Sequence, residues 1–294
     1  MKTKSASDKI ISAFAYIYMI LFVIVAIIPF MTIISTSITD EQYIRANGFD
    51  IFPHKVTWSA YKYVLGRGST ILDAYQVTTF VTVVGTLFSM LITTMMAFAL
   101  SRKEWKMAVP ISFLVYFTML FNGGLVPWYI ITTKYLGLHD SLLALIIPYT
   151  INAFNLLVLR SFISGIDNSI FEAAKIDGAN EFQLLFRIAL PLALPGLATI
   201  CLFYAISYWN DWWLGLMLIN ERELYPLQLL IRAITSNISY ATSSGANSSI
   251  AAASIPEEGV KMATTVLTIG PIILLYPFLQ RYFVKGLTIG SVKG

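Results

Sequence analysis

Six stretches of the sequence, about 11–38, 76–100, 107–131, 139–160, 194–219 and 262–284, are apolar over the length of a membrane span. A hydrocarbon layer about 30 Å thick is crossed by about 20 apolar residues, each rising about 1.5 Å along a helix. Inside that layer every backbone N–H and C=O must be paired within the protein, which an α-helix achieves locally. The expectation is therefore an all-α integral membrane protein with six transmembrane helices forming one domain over residues 1–294. Composition agrees: 57% of residues are hydrophobic, only 12% are charged, and mean hydropathy is +0.71. Soluble domains carry about 25% charged residues. Lys2, Lys4 and Lys9 precede the first apolar run in the manner of a signal peptide. That run far exceeds the about 7–15 residues of a signal-peptide core and ends in no small-x-small cleavage site, so it is expected to remain as the first span.

Orientation follows from Lys and Arg. With the N-terminus inside, the inner segments hold Lys2, Lys4, Lys9, Arg102, Lys103, Lys106, Arg160, Lys175, Arg187, Arg281, Lys285 and Lys293. The outer ones hold Arg45, Lys55, Lys62, Arg67, Lys134, Arg222, Arg232 and Lys261. Twelve against eight places both termini in the cytoplasm, together with the loop 161–193 and the tail 285–294.

Several functions are disfavoured by what the chain lacks. Away from their ends the expected spans hold no acidic or basic residue except Asp211, whereas ion-coupled carriers commonly keep charges at mid-membrane. There is no G-x-x-x-x-G-K-[ST] phosphate loop, and no nucleophile–base constellation or H-E-x-x-H motif. The net charge of +4 is spread through the loops and suggests no nucleic acid. The single Cys201 sits in an apolar run, and His54 and His139 are isolated in loops, so no metal site is expected. If such a chain moves solute uphill, its energy arrives from another protein.

The segment Ser169–Pro191 is where that protein would dock. Ser169 with Glu172, and Asn180 with Gln183, have the spacing of capping boxes. Gly178 between them suits a left-handed helix end, and Pro191 is expected to stop the second helix. Helices this short are marginal in isolation. Phe171, Ile176, Phe182, Leu185 and Phe186 are more apolar surface than a free loop should expose, while Ala173, Ala174 and Gly178 permit close backbone approach. A helix-in-groove contact with another protein fits. The other reading is an amphipathic helix resting on lipid headgroups. It fits less well, because Glu172, Asp177 and Glu181 outweigh Lys175.

Glu172-Ala-Ala-x-x-Asp-Gly-Ala, followed by Ile-x-Leu-Pro, resembles the "EAA" motif of the membrane subunits of bacterial ABC importers. Asn122-Gly-Gly-Leu-Val-Pro127, Trp209-Asn-Asp211, Tyr276-Pro-Phe-x-Gln280 and the ending Val284–Gly294 look like maltose-type carbohydrate permeases, closest to the subgroup importing complex-polysaccharide fragments in Gram-positive bacteria. The resemblance extends over the whole chain. It implies the type I ABC importer permease fold in a bacterial plasma membrane. It also implies a homologous second permease subunit, two ATPase subunits that bind ATP and Mg, and an extracellular solute-binding (lipo)protein. No cofactor and no catalytic residue are then expected on this chain. ATPase docking falls on Glu172, Ala173, Ala174, Asp177, Gly178, Ala179, Phe182, Leu185 and Phe186. The tail residues Gly290, Ser291 and Lys293 would reach the ATPase interface.

Sugars are recognised by aromatic stacking combined with hydrogen bonds from amides and carboxylates. Asn152, Asn155, Tyr204, Tyr208, Trp209, Asn210 and Asp211 offer both and are the candidate pathway residues. For Tyr208, Asn210 and Asp211 an interfacial role is an equal alternative, and for Trp212 and Trp213 an aromatic belt is the better reading. An ABC importer for peptides or amino acids, or more distantly an ion-coupled carrier, would be the rival functions.

Overall fold

A computed structural model describes residues 6–66, 69–102, 104–243 and 256–269. Apart from one isolated bridge between Thr39 and Val56, the described residues form helices and connecting turns. They fall into two bodies, residues 6–66 with 233–243 and 256–269, and residues 69–102 with 104–232.

The first body opens with α1 (Ala6–Ser37), a 32-residue helix that exposes apolar side chains along most of its length. Two short helices follow, α2 (Glu41–Asn47) and α3 (Ser59–Leu65). Asp40 caps α2 by accepting from the backbone N–H groups of Gln42 and Tyr43. The Ser37 and Tyr61 hydroxyls, 3.1 Å apart, tie the end of α1 to α3. The same body holds the helix at 257–269, called α15 below. Its first N–H groups have no partner within the helix, and Glu41 supplies one. Its carboxylate accepts from Glu258 N at 3.3 Å and Gly259 N at 3.2 Å. The sixth expected span, 262–284, thus begins as a helix, and its remainder lies outside the described residues.

The second body is built on α4 (Ser69–Ser101), an unbroken helix that contains the second expected span. The third and fourth expected spans are bent, and the fifth is entered through a bend. The third is α5 (Ala108–Leu120) and α6 (Leu125–Ile130), the latter running on as a π-helical turn to Tyr135, with 116° between the two parts. At the break Phe121 is extended and the Asn122 side chain accepts from Gly124 N. The fourth is α7 (Leu142–Ile146), prolonged by one 3-10 turn through Pro148, and α8 (Ala153–Ser164), bent by 51°. Between α8 and the fifth span lie α9 (Asn168–Ile176) and α10 (Glu181–Gln183). From α10 the chain continues through a π-helical segment, Leu184–Ala189, into α11 (Leu190–Leu192). It turns by 85° at Ala193 into α12 (Leu194–Trp209), followed by α13 (Trp213–Leu218) and the start of α14 (Leu227–Ser243), whose residues from 233 on belong to the first body.

Helices α12 and α8 pack on α4 around Ala97, Leu156, Leu159 and Ile200, all fully buried. The contact with α12 is close because α4 has a glycine there. A Cβ at Gly85 would sit 2.8 Å from the Tyr208 ring. Between membrane helices, where apolar burial gives little drive, such small residues let backbones approach and polar pairs add to the packing. Ser89 and Tyr208 hydroxyls lie 2.8 Å apart, and Thr93 and Tyr204 hydroxyls 2.7 Å apart.

Two outcomes test this packing. Gly85→Ala overfills the α4–α12 contact and is expected to cost about 1–3 kcal/mol, read as a lowered thermal midpoint of the purified protein. Glu41→Ala uncaps α15 at a cost of about 1 kcal/mol. Hydrogen exchange at the Glu258 and Gly259 amides should then accelerate about fivefold, with the second body unaffected.

Candidate functional site

The segment expected to dock is capped by its own residues at each helix start. Helix α9 is capped by Asp167, whose carboxylate accepts from Ser169 N at 3.0 Å. Ser169 is therefore a capped residue and not the cap expected from its spacing to Glu172. The Glu172 carboxylate instead accepts from the Asn168 amide at 2.6 Å. The sequence holds both Asp167 and Ser169 as possible caps, and the longer start wins because the carboxylate is the better acceptor at a helix N-terminus.

Helix α9 ends in a Schellman motif. Gly178 has φ +84°, its N–H donates to Lys175 O, and Ala179 N donates to Ala174 O. The second helix starts with the expected capping box: Gln183 N donates to Asn180 Oδ1 and Asn180 N to Gln183 Oε1, both at 2.9 Å. Pro191 does not stop this helix. It lies in the last turn of the continuous helical run 181–192, just after the π-helical segment, and the break comes two residues later at Ala193.

Burial divides the segment into two faces. Phe171 and Leu185, expected on the docking surface, are buried against the rest of the body together with Leu184. Ile176 is 87% exposed, Phe182 67% and Phe186 51%. Glu172, Ala173, Asp177 and Gly178 share that exposure, while Ala174 and Ala179 are half-buried. The segment thus presents apolar side chains beside small and acidic ones, held by bonds it makes itself. It is also tied to the loop after α4. Lys175 Nζ lies 2.6 Å from Glu104 Oε2. That hydrogen bond holds the Glu104 carboxyl below the usual range and raises the Lys175 ammonium.

A cavity of about 640 Å³ lies at the other end of α12. Asn152, Asn155, Tyr204, Asn210 and Asp211, all expected on the pathway, line it. Pro148, Tyr149, Ile151, Ser207, Trp212 and Trp213 complete the lining. Two expected residues are elsewhere. Tyr208 is 1% exposed, and its hydroxyl donates to Ile146 O at 2.9 Å, so the proton of the Ser89 pair comes from the serine. Trp209 turns toward Tyr75 of α4, with ring centroids 6.5 Å apart.

Within the cavity the polar groups hold one another. Tyr149 Oη donates to Asp211 Oδ1 at 2.9 Å, and Leu214 N donates to Asp211 Oδ2 at 3.2 Å, so the carboxylate caps α13. Asn152 Oδ1 accepts from Asn155 N at 3.0 Å and caps α8, while Asn152 N donates to Tyr204 Oη at 3.1 Å. Trp213 packs on Trp128 with centroids 4.7 Å apart, and the Arg232 guanidinium lies 3.9 Å above the Trp212 ring. Tyr149 was not legible as a site residue. It comes 62 positions before its partner Asp211, and only the fold joins them.

The tail residues Gly290, Ser291 and Lys293 lie outside the described residues. Among the described residues no group of His, Cys, Asp and Glu could hold a metal ion.

Similarity to known proteins accords with this arrangement. The chain is 39% identical to the polygalacturonan/rhamnogalacturonan transport system permease protein YtcP of Bacillus subtilis (strain 168), over 98% of this chain and 99% of the relative. It is 41% identical to protein LplC of the same organism, over 92% of this chain and 90% of the relative. A solved structure of a bacterial ABC transporter involved in the import of the acidic polysaccharide alginate contains a similar chain, at TM-score 0.81 and 32% identity, covering 96% of this chain and 100% of that one. These relatives are transport components and not enzymes. Residues 75–289 match the family described as binding-protein-dependent transport system inner membrane component, and the chain belongs to that family.

Proposed function

We propose that this chain is one of two membrane halves of an ATP-driven importer of oligosaccharides in a bacterial plasma membrane, with both termini cytoplasmic. A homologous second permease completes the pathway, two ATPase subunits bind ATP and Mg, and an extracellular solute-binding lipoprotein delivers the sugar. The observation that carries this reading is the exposed face of Ile176, Phe182 and Phe186 on a helix pair already capped by its own residues. A preorganised apolar face with no cover of its own is suited to a groove on another protein. The residues that would meet the ATPase are Glu172, Ala173, Asp177, Gly178, Phe182 and Phe186, with Ala174 and Ala179 behind them. Leu185 holds the pair onto the body instead. The tail at Gly290, Ser291 and Lys293 would add a second contact with the ATPases.

The geometry supplies a route for the movement. Displacement of α9 and α10 passes through the continuous helical run 181–192 to the bend at Ala193 and into α12. Helix α12 bears Tyr204, whose hydroxyl touches the start of α8, and it ends at Asn210 and Asp211 beside the cavity. One helix therefore joins the docking face to the cavity, as alternating access requires. The cavity suits a sugar through its amides, the Ser207 hydroxyl and the Trp212 ring. The carbohydrate named for the relatives above supports the same class of solute.

Two variants separate the parts of this reading. Gly178→Pro replaces φ +84° with a residue confined to about −65° and removes the N–H that closes α9. Uptake into proteoliposomes is expected to fall at least about tenfold with loss of ATPase co-purification, a coupling of ordinary size. Retained ATPase with normal uptake would place docking elsewhere.

Asp211→Asn keeps one oxygen to accept from Leu214 N, places an amide NH2 that can donate to Tyr149 Oη, and removes the charge. It is expected to slow oligosaccharide uptake several-fold while leaving ATPase binding intact. Unchanged uptake would leave Asp211 with its capping role alone. Asp211→Ala should in addition lose about 1 kcal/mol of stability with the cap.

A further inference from the structure

Directly after α4 comes Arg102, whose side chain is only 10% exposed. Its guanidinium carbon lies 4.6 Å from the ring centroid of Phe171 on α9 and 5.5 Å from that of Phe98 on α4, and the two rings pack at 6.3 Å. Burial of this kind normally accompanies full pairing, since a guanidinium carries five N–H donors. Here the pairing is incomplete. Nη2 is 3.7 Å from Glu104 Oε2, and Nε is 3.9 Å from Glu181 Oε2. Both distances exceed a hydrogen bond, and both nitrogens are buried without a hydrogen-bond partner. Lys175 has taken the near side of the same two carboxylates, Glu104 Oε2 at 2.6 Å and Glu181 Oε1 at 3.5 Å.

Beside this cluster is a cavity of about 470 Å³, walled by Met95, Phe98, Trp105, Phe182 and Leu185 and rimmed by the two carboxylates. The start of α10, which bears Glu181 and Phe182, therefore has free volume on the side facing α4. A shift of about 1 Å in that direction would bring Glu181 within hydrogen-bonding range of Arg102 Nε. Shifts of this size between packed helices are ordinary in switching proteins.

We infer that Arg102 is a positioning residue with two settings. It is half-engaged as seen here, and it closes a charge-assisted hydrogen bond to Glu181 when α10 is pressed toward α4. In the closed setting a push on the docking segment reaches α4 through side chains, in parallel with the backbone route through α12. Phe171 holds the guanidinium in place for this, and Lys175 holds the Glu104 and Glu181 carboxylates close together. The inference rests on the proposed ATPase docking.

The test measures ATP hydrolysed per sugar imported by the assembled transporter in proteoliposomes, with ATPase co-purification as a separate readout. Glu181→Gln keeps the size of a side chain that is 58% exposed and removes the charge that Arg102 would meet. It is expected to leave assembly intact and raise ATP consumed per sugar about fivefold or more, the lower range of coupling between distinct sites. Arg102→Met should do the same, and the double variant should be no worse than either single one. Arg102→Lys, which keeps the charge but lacks the planar fork, should recover part of the coupling. A merely structural role for Arg102 predicts lost assembly with an unchanged ratio in whatever assembles. An unchanged ratio in Glu181→Gln overturns the inference, even if Arg102→Met fails to fold. Failure of the unaltered chain to retain an ATPase would instead overturn the docking reading.

Discussion

Two phenolic hydroxyls, those of Tyr204 and Tyr208, fix the arrangement on which the second body depends. Each sits on α12 and reaches two other helical elements: Tyr204 meets Thr93 of α4 and the backbone of Asn152, and Tyr208 meets Ser89 of α4 and the carbonyl of Ile146. In a medium without water an unpaired hydroxyl is costly, so these bonds set how α12 lies on α4 and on the α7–α8 bend. Ile146 and Asn152 flank that bend, where backbone groups would otherwise lose their helical partners. The tyrosines therefore stabilise both a helix contact and the irregular chain that shapes the cavity.

The docking segment obeys a different economy. Its bonds are local: Asp167 to Ser169, Lys175 to Gly178, Ala174 to Ala179, Asn180 to Gln183. Its shape is thus determined largely by its own sequence, while its attachment to the body relies on a few side chains, Phe171, Leu184 and Leu185 inside and Lys175 with Glu104 at the edge. A unit of this kind can be displaced as a whole without losing its form. That is a property required of any element that passes motion between proteins.

The local bonds were also the legible ones. Gly178 and the Asn180–Gln183 box could be read from spacing, because the partners lie within a few residues. The Ser169 cap could not be separated from Asp167, since both are good caps two positions apart and only the geometry chooses. Phe171 and Leu185 looked like docking residues because apolarity says that a side chain is covered but not by what. Tyr208 and Trp209 were placed on the pathway for their chemistry, and the helix phase turned both toward α4. The long apolar stretches were visible from hydropathy. The bends of 116° and 51° within them, and of 85° at the entry to the fifth, were not, since apolar composition is blind to where a helix interrupts itself.

The first of those bends bears on how the chain can live in a bilayer. Helix α5 has 13 residues, hence a length of about 20 Å, short of the about 30 Å of hydrocarbon it would have to cross. The exposed stretch 121–124 then interrupts the helix, and any of its peptide groups that met hydrocarbon could be satisfied only by protein or water. Lipid tails offer neither donor nor acceptor. A chain that crosses a bilayer through α5 and α6 consequently needs water or protein around Asn122.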